Sequence, residues 1–524
     1  MEDVLARGAA GRGTRSRRVA PWALVAALLF AMSVMWALAT PLMSSPDEPS
    51  HVVRAAAVAR GEWSGELGAP PVDRTRPAAA TVVELPSDLA ASVRLPNCYA
   101  FHPEVAGDCV PDLPDRTGDD VPVETYAGQY PPLYYALVGW PSLLFSGEAG
   151  LYAMRFASGA ISVAMLTWGA YRLSTASVNR LGTWGTVVAL TPMTLFLGAT
   201  VNPIGWEITT AFSFWAACLA VVAAPGPIRS GALVQAAVSG ALLVNVRASS
   251  PFWALAVVVV VLVFSPRERL RELVRHRLAP WVAGVALLAG IAAVTWILTH
   301  GDTVSARGLF PNFADRSVAL LAIAGESFDY LQQMIGNFGW LDTVAPPVTY
   351  LAWYVGIGAL VLVAFSLRGR RRAKLALALL LAGVIAAPLL QFPTMPDAGL
   401  IWQGRYTLPM AIGVPLVAAL VFGRQQRDGN ELLRRVYRGT LPLLLVGHVA
   451  AFYWASRRYS EGVDGELFTG APDWSSPVGY LTGTLMYAAL CLLLAGLAWR
   501  SAATDRAVAA ATTVQPDRSE VSVA

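Results

Sequence analysis

The sequence predicts an all-α integral membrane protein with about twelve transmembrane helices, within a range of about eleven to thirteen. Three observations give the membrane class. Hydrophobic residues fill 55% of the 524 positions and charged residues only 14%, whereas a soluble domain is about a quarter charged. Apolar runs long enough to cross a hydrocarbon core of ~30 Å recur along the chain. The 39 Lys and Arg residues gather in alternate connections between those runs, as the positive-inside bias requires. The formal net charge of +4 gives no reason to expect a nucleic-acid partner; the lipid bilayer is the partner the composition demands.

In chain order, residues 1–20 carry Arg7, Arg12, Arg15, Arg17 and Arg18 and read as a basic cytoplasmic segment. The run 21–43 is span-length. Ala37-Leu38-Ala39 also resembles a signal-peptide cleavage site, but the length favours an uncleaved first helix. Residues 44–150 form a large extracytoplasmic loop, polar and Pro-rich up to Gln129. The loop closes with YPPLYYALVGWPSLLF at 130–145, which is apolar but short and interrupted by Pro141. That segment suits a juxtamembrane position better than a crossing.

Further spans are expected near 151–171, 181–199, 204–224, 230–246, 250–264, 279–299, 348–367, 373–392, 405–422, 439–456 and 478–499. With 130–145 lying on the surface, the cytoplasmic segments hold two thirds of the 39 basic residues. With 130–145 crossing, the richest basic clusters would split across the membrane. Twelve spans with both termini cytoplasmic follow. The polytopic domain then covers 21–499, with a second extracytoplasmic loop at 300–347 and shorter ones at 393–404 and 457–477. Residues 500–524 read as a disordered cytoplasmic tail.

The sharpest chemical feature is SSPDEPSHVVR, directly after the first span. Asp47 or Glu48 can act there as a general base, or together with His51 hold a divalent cation. His51 can instead carry a proton, and Arg54, three residues on, can clamp an anion. The plainer reading is an acidic first turn of a helix with solvated neighbours. Gln129, Tyr130 and Tyr135 in YAGQYPPLYY either line a pocket for a lipid-linked head group or form an aromatic interface belt. Arg155, a few residues into the next span, either snorkels or is paired.

Asn202 and Glu207 in TVNPIGWE, Arg247 in NVRASSP, Asp342 in GNFGWLD, and Gln403, Arg405 and Tyr406 in WQGRY all fall at extracytoplasmic span ends or loops. Arg155, Arg247 and Arg405 run against the inside bias, as a phosphate-bearing substrate would require. Cys218 and Cys491 lie in apolar runs, as small buried side chains do. Cys98 and Cys109 share a polar loop, where an oxidising compartment would allow a disulfide. A zinc site with His102 is the weaker alternative, because no second ligand pair follows. GxSxG, Walker, HExxH and paired CxxC patterns do not occur.

Taken in order, PDEPSH, YPPLYY, TPMTLFLGATVNPIGWE, GNFGWLD and QGRY resemble the bacterial family called domain of unknown function 2142. That family is grouped with the GT-C glycosyltransferases, inner-membrane enzymes that use a polyprenyl-phosphate sugar as donor. The resemblance implies that Asp47 or Glu48 is a catalytic acid in the first extracytoplasmic loop. It also implies that Arg54, Arg155, Arg247 and Arg405 are candidate phosphate clamps, and that the acceptor is an envelope polysaccharide or glycolipid. PDE departs from the DxD of metal-using relatives, which leaves a cation near Asp47, Glu48 and His51 an open question. A transporter or flippase for a lipid-linked or anionic precursor is the competing class, and a non-catalytic partner in envelope assembly a third. Transport would favour charges midway along spans and paired broken helices, whereas the polar residues here cluster at span ends.

Overall fold

The computed structural model describes residues 2–68, 80–176, 181–300, 313, 315–366, 369–421, 427–468 and 470–513. The part of the 300–347 loop at 301–312 and 314, and the end of the tail from 514, lie outside them.

Among the described residues, eight helices are long and apolar enough to cross a membrane: Pro21–Ala39, Gly147–Ser174, Pro203–Ala223, Ala279–His300, Pro347–Ser366, Arg371–Ala398, Arg435–Glu461 and Tyr480–Trp499. Twelve were expected. Three of the remaining segments are shorter apolar helices, Ser230–Val244, Ser250–Phe264 and Leu408–Leu420. The fourth, 181–199, breaks into Leu181–Ala189 and Pro192–Gly198. Thr191 caps the second piece by accepting from the Thr194 N–H, and its hydroxyl donates to the Met334 carbonyl. A helix broken here is tolerated because protein, not lipid, satisfies the freed backbone groups. The segment 130–145 is only a short helix, Pro132–Gly139, and a 3₁₀ turn, Trp140–Leu143, far below the ~20 residues a span needs. The last helix continues to Thr513, so the tail read as disordered from residue 500 is helical over that stretch.

The 44–150 region holds an element that an all-helical reading omits. Glu66–Leu67, Thr81–Pro86 and Asp120–Thr125 form a three-stranded antiparallel sheet, with Thr81 opposite Thr125 and Pro86 opposite Asp120. This sheet packs on the helix Glu48–Ala59. That helix in turn packs against Pro132–Gly139 so closely that a Cβ at Gly139 would overlap the Ala55 carbonyl. The contact buries Val52, Val53, Ala55–Ala57, Tyr134, Tyr135 and Val138 in one apolar cluster. A larger core joins the spans around Trp36, whose indole donates to the Tyr487 hydroxyl at 3.1 Å among Phe196, Phe338 and Phe452. The candidate site lies where the two cores meet.

Candidate functional site

The first span ends at Ala39 with carbonyls that no further helical turn can satisfy. Arg155, on the helix Gly147–Ala176, meets them. Its Nη1 donates to Ala37 O (2.9 Å) and Thr40 O (3.2 Å), and its Nη2 to Pro41 O (2.8 Å). The same guanidinium holds Glu48 in a two-pronged pair, Nε to Oε1 at 2.7 Å and Nη2 to Oε2 at 2.6 Å, with both side chains 1% exposed. Glu48 also accepts from the Val201 and Ser45 N–H groups. Its lone pairs are committed to tying together the first span, the 48–59 helix and the 192–223 region. Glu48, one of the two acids expected as base, thus has its oxygens bound within the framework, and Arg155, one of the candidate phosphate clamps, is buried and paired, an outcome the sequence left open for it.

Asp47 is treated in the opposite way by the same turn. It adopts φ 63°, ψ 3° at the N-cap of Glu48–Ala59, a left-handed conformation that costs most residues energy and that Asp tolerates better than most. An N-cap aspartate ordinarily bonds its own helix N–H groups, but Asp47 makes no such bond. Its Oδ2 instead accepts from Arg405 Nη2 at 2.7 Å, and its side chain stays 54% exposed against 1% for Arg405. Burial pushes its carboxyl up, but Arg405 beside it, with His51 and Arg247, outweighs that and holds it below the ordinary carboxylate range. Asp47 is thus an accessible, ionised carboxylate.

The remaining expected residues sort by their partners. His51 Nδ1 lies 2.9 Å from the Tyr135 hydroxyl, and the ring stands 5.6 Å from Tyr130. Arg54 is fully buried; its Nη2 reaches Tyr130 O at 3.4 Å and its guanidinium faces the rings of Tyr135 and Trp296. Arg247 pairs with Glu207 at 3.2 Å and stacks 4.8 Å over Tyr406, with Tyr130 at 5.7 Å. Arg405 stands 5.4 Å from the centroid of the same Tyr406 ring. Tyr130 and Tyr406 therefore link Asp47, His51, Arg54, Arg247 and Arg405 into one cluster. Gln403 caps the 3₁₀ turn Gly404–Tyr406 that carries Arg405.

Three expected residues serve the frame. Asn202 caps Pro203–Ala223 by accepting from the Ile204 N–H, and its Nδ2 donates to Pro46 O at 2.9 Å, fixing the turn that carries Asp47. Glu207 accepts from Ser250 Oγ at 2.6 Å besides Arg247. Asp342 does not join the cluster. It accepts from the Phe101 N–H and pairs with Arg458 at 3.4 Å, locking the hairpin Asn337–Val344 to the loop closed by the Cys98–Cys109 disulfide. For Gln129 it is the backbone oxygen that is engaged, accepting from the Trp296 indole at 3.0 Å.

Trp296 is the cluster member the sequence reading missed. It sits near the end of the Ala279–His300 span, where a tryptophan ordinarily signals only an interface anchor.

The electrostatics point to an anion. Arg54 Nε and Nη1, Arg247 Nε, and Arg405 Nε and Nη1 are buried and carry no hydrogen-bond partner among the described residues, as does Gln403 Oε1. Unpartnered buried guanidinium N–H groups are costly. Three arginines face two acids, Asp47 and Glu207, so the cluster carries a net positive charge.

A cation held by Asp47, Glu48 and His51 does not fit. Both Glu48 oxygens are bound to Arg155, His51 Nδ1 faces Tyr135, and no group of three or more His, Cys, Asp or Glu among the described residues is placed to hold a metal ion.

His51 also sets a pH response. Burial, reinforced by Arg247 and Arg405 and opposed by Asp47, pushes its imidazole down to about 3, from an ordinary value near 6.5. Between those values the unfolded chain binds more protons, so stability falls as pH drops through that window. Melting curves at pH 7.5 and 5.0 should show this loss in the wild type and a smaller one in His51→Gln.

The fold and site define a polytopic helical membrane protein with an accessible acid beside three arginines, two of them, Arg54 and Arg405, fully buried. The chain belongs to the family described as Predicted membrane protein (DUF2142), whose profile matches residues 15–414. No curated protein matches the sequence. Among solved structures, ArnT from Cupriavidus metallidurans, crystallised bound to undecaprenyl phosphate, is a distant likeness: TM-score 0.42 and 14% identity, covering 92% of this chain and 76% of that one.

Proposed function

We propose that the protein is a membrane glycosyltransferase of GT-C type. It moves a sugar from a polyprenyl-phosphate donor to an envelope polysaccharide or glycolipid acceptor on the extracytoplasmic face of the bacterial inner membrane, with both chain termini cytoplasmic. The observation that carries this reading is an accessible Asp47 beside Arg54, Arg247 and Arg405, each of which keeps at least one buried N–H group without a partner among the described residues.

In the reaction, the Asp47 carboxylate takes the proton of an acceptor hydroxyl. The acceptor oxygen forms its bond to the anomeric carbon as the carbon–oxygen bond to phosphate breaks, inverting that centre. The bonding pair leaves with the polyprenyl phosphate, and Arg54, Arg247 and Arg405 receive the charge that grows on its oxygens. Arg405 also holds Asp47 ionised and oriented through its 2.7 Å bond. The rings of Tyr130, Tyr135, Tyr406 and Trp296 lie against these guanidinium groups, and apolar surroundings strengthen the charge interactions beside them.

The test is transfer by purified protein in liposomes supplied with radiolabelled polyprenyl-phosphate sugars and an envelope acceptor extract. Label appearing in the acceptor supports the proposal. Movement of the intact lipid-linked sugar across the bilayer with no transfer would favour the carrier reading instead. Arg54→Gln removes a buried partner of the phosphate, a loss of about 2–5 kcal/mol when such a pair is broken. It should raise the donor KM about thirtyfold or more, measured at fixed acceptor.

A further inference from the structure

A second cavity lies at the other end of the bundle from Asp47. It has a volume of about 390 Å³ and opens beside Pro21 and Trp22, at the start of the first span. Its walls come from the spans Pro21–Ala39, Gly147–Ser174, Pro203–Ala223, Arg435–Glu461 and Tyr480–Trp499 and from the broken helix at 181–198. The lining is mostly apolar, with Ala170, Leu441, Ala495, Trp22 and Phe212 among its side chains, a few hydroxyls such as Ser174 and Thr186, and Met32, His448 and Cys491 reaching its inner part. Trp22 and Met32 are ten positions apart on one helix, so the cavity runs about 15 Å along it. That is half of a hydrocarbon core of ~30 Å, the depth of a single leaflet.

Its mouth is basic. Arg438 lies one helical turn before Leu441, and its guanidinium stands 5.3 Å over the ring of Trp499, next to the lining residue Ala498. No carboxylate among the described residues forms an ion pair with Arg438. A mostly apolar shaft one leaflet deep, beneath an arginine with no ion pair among the described residues, is complementary to a lipid with a negatively charged head.

We propose that this cavity binds one acyl chain of an anionic phospholipid from the leaflet on the Pro21 side, with the lipid phosphate at Arg438. The site is separate from the Asp47 cluster and does not depend on sugar transfer.

The experiment uses the full chain exchanged into nanodiscs of phosphatidylcholine containing phosphatidylglycerol, re-extracted in mild detergent, with retained lipid counted by native mass spectrometry. The wild type should keep one phosphatidylglycerol per chain. Ala170→Phe and Ala495→Phe, each filling the shaft from a different helix, should lose it. Arg438→Gln should retain a lipid but lower the preference for phosphatidylglycerol over phosphatidylcholine about fivefold. Because Arg438 sits at the mouth, that variant reads the headgroup without repacking the shaft. Equal retention by the wild type and both filled variants would overturn the proposal, as would indifference to the headgroup in the wild type. One-for-one displacement by a polyprenyl phosphate would also overturn it, by assigning the shaft to the donor tail.

Discussion

Asp47→Asn should lower kcat for sugar transfer by about 10²–10⁴-fold, the usual worth of a positioned general base, while leaving the melting temperature almost unchanged. The amide keeps the shape and can still face Arg405, but it cannot accept the proton of the acceptor hydroxyl. Stability should hold because the wild-type side chain is 54% exposed and makes no capping bond to its own helix. The donor KM should move little, since Asp47 is not among the groups that receive the phosphate. Because Arg405, with His51 and Arg247, holds Asp47 below the ordinary carboxylate range, the acid limb of kcat should fall below pH 4, where a free aspartate titrates. Initial-rate kinetics in liposomes check both statements. A kcat within a fewfold of wild type would remove Asp47 from the role of base.

The second large effect falls on the adjacent residue and has the opposite character. Glu48→Gln or Arg155→Met breaks a fully buried two-pronged ion pair, a change that costs about 3–5 kcal/mol because the surviving charge is left in a low-dielectric interior. Arg155→Met also strips three span-end carbonyls of their donor, so it should be the more damaging of the two. The double variant Glu48→Met/Arg155→Met should recover part of the loss, since it leaves no unpaired charge. Thermal unfolding in detergent, read as a double-mutant cycle, measures the coupling. Side by side, Asp47→Asn should be stable and inactive, and Glu48→Gln unstable. Two neighbouring acids are thus divided between chemistry and scaffold.

That division is not legible in PDEPSH. The motif places two carboxylates at the end of a span, but which of them turns inward depends on an arginine 107 positions away and on a left-handed backbone at Asp47. Sequence reasoning finds the arginines well, because a cation at a span end is expensive and therefore conspicuous. It cannot tell Arg155, whose donors are consumed by carbonyls and Glu48, from Arg54 and Arg405, whose Nε and Nη1 groups have no partner among the described residues.

The helical membrane architecture is read easily from long apolar runs. The small sheet is not: Thr81–Pro86 and Asp120–Thr125 are six-residue strands, each with a proline, and are paired across 33 intervening residues. Segments such as 181–199 look like spans by hydropathy. The Thr191-Pro192 pair is a helix-start signal that hydropathy passes over, and the bond from Thr191 to Met334 is not legible in the sequence at all. Trp296 escaped for a related reason: an aromatic at a span end is ordinarily an anchor, and its role here depends on Gln129 and Arg54 arriving from the first loop.

The arginine cluster as the seat of the donor phosphate is tested most directly by a cryo-electron microscopy structure of the chain in nanodiscs saturated with a polyprenyl phosphate. The phosphate should lie within hydrogen-bond distance of Arg54, Arg247 and Arg405, with Asp47 on the open side of the same pocket. A phosphate bound elsewhere on the protein, touching none of those three guanidinium groups, would contradict it.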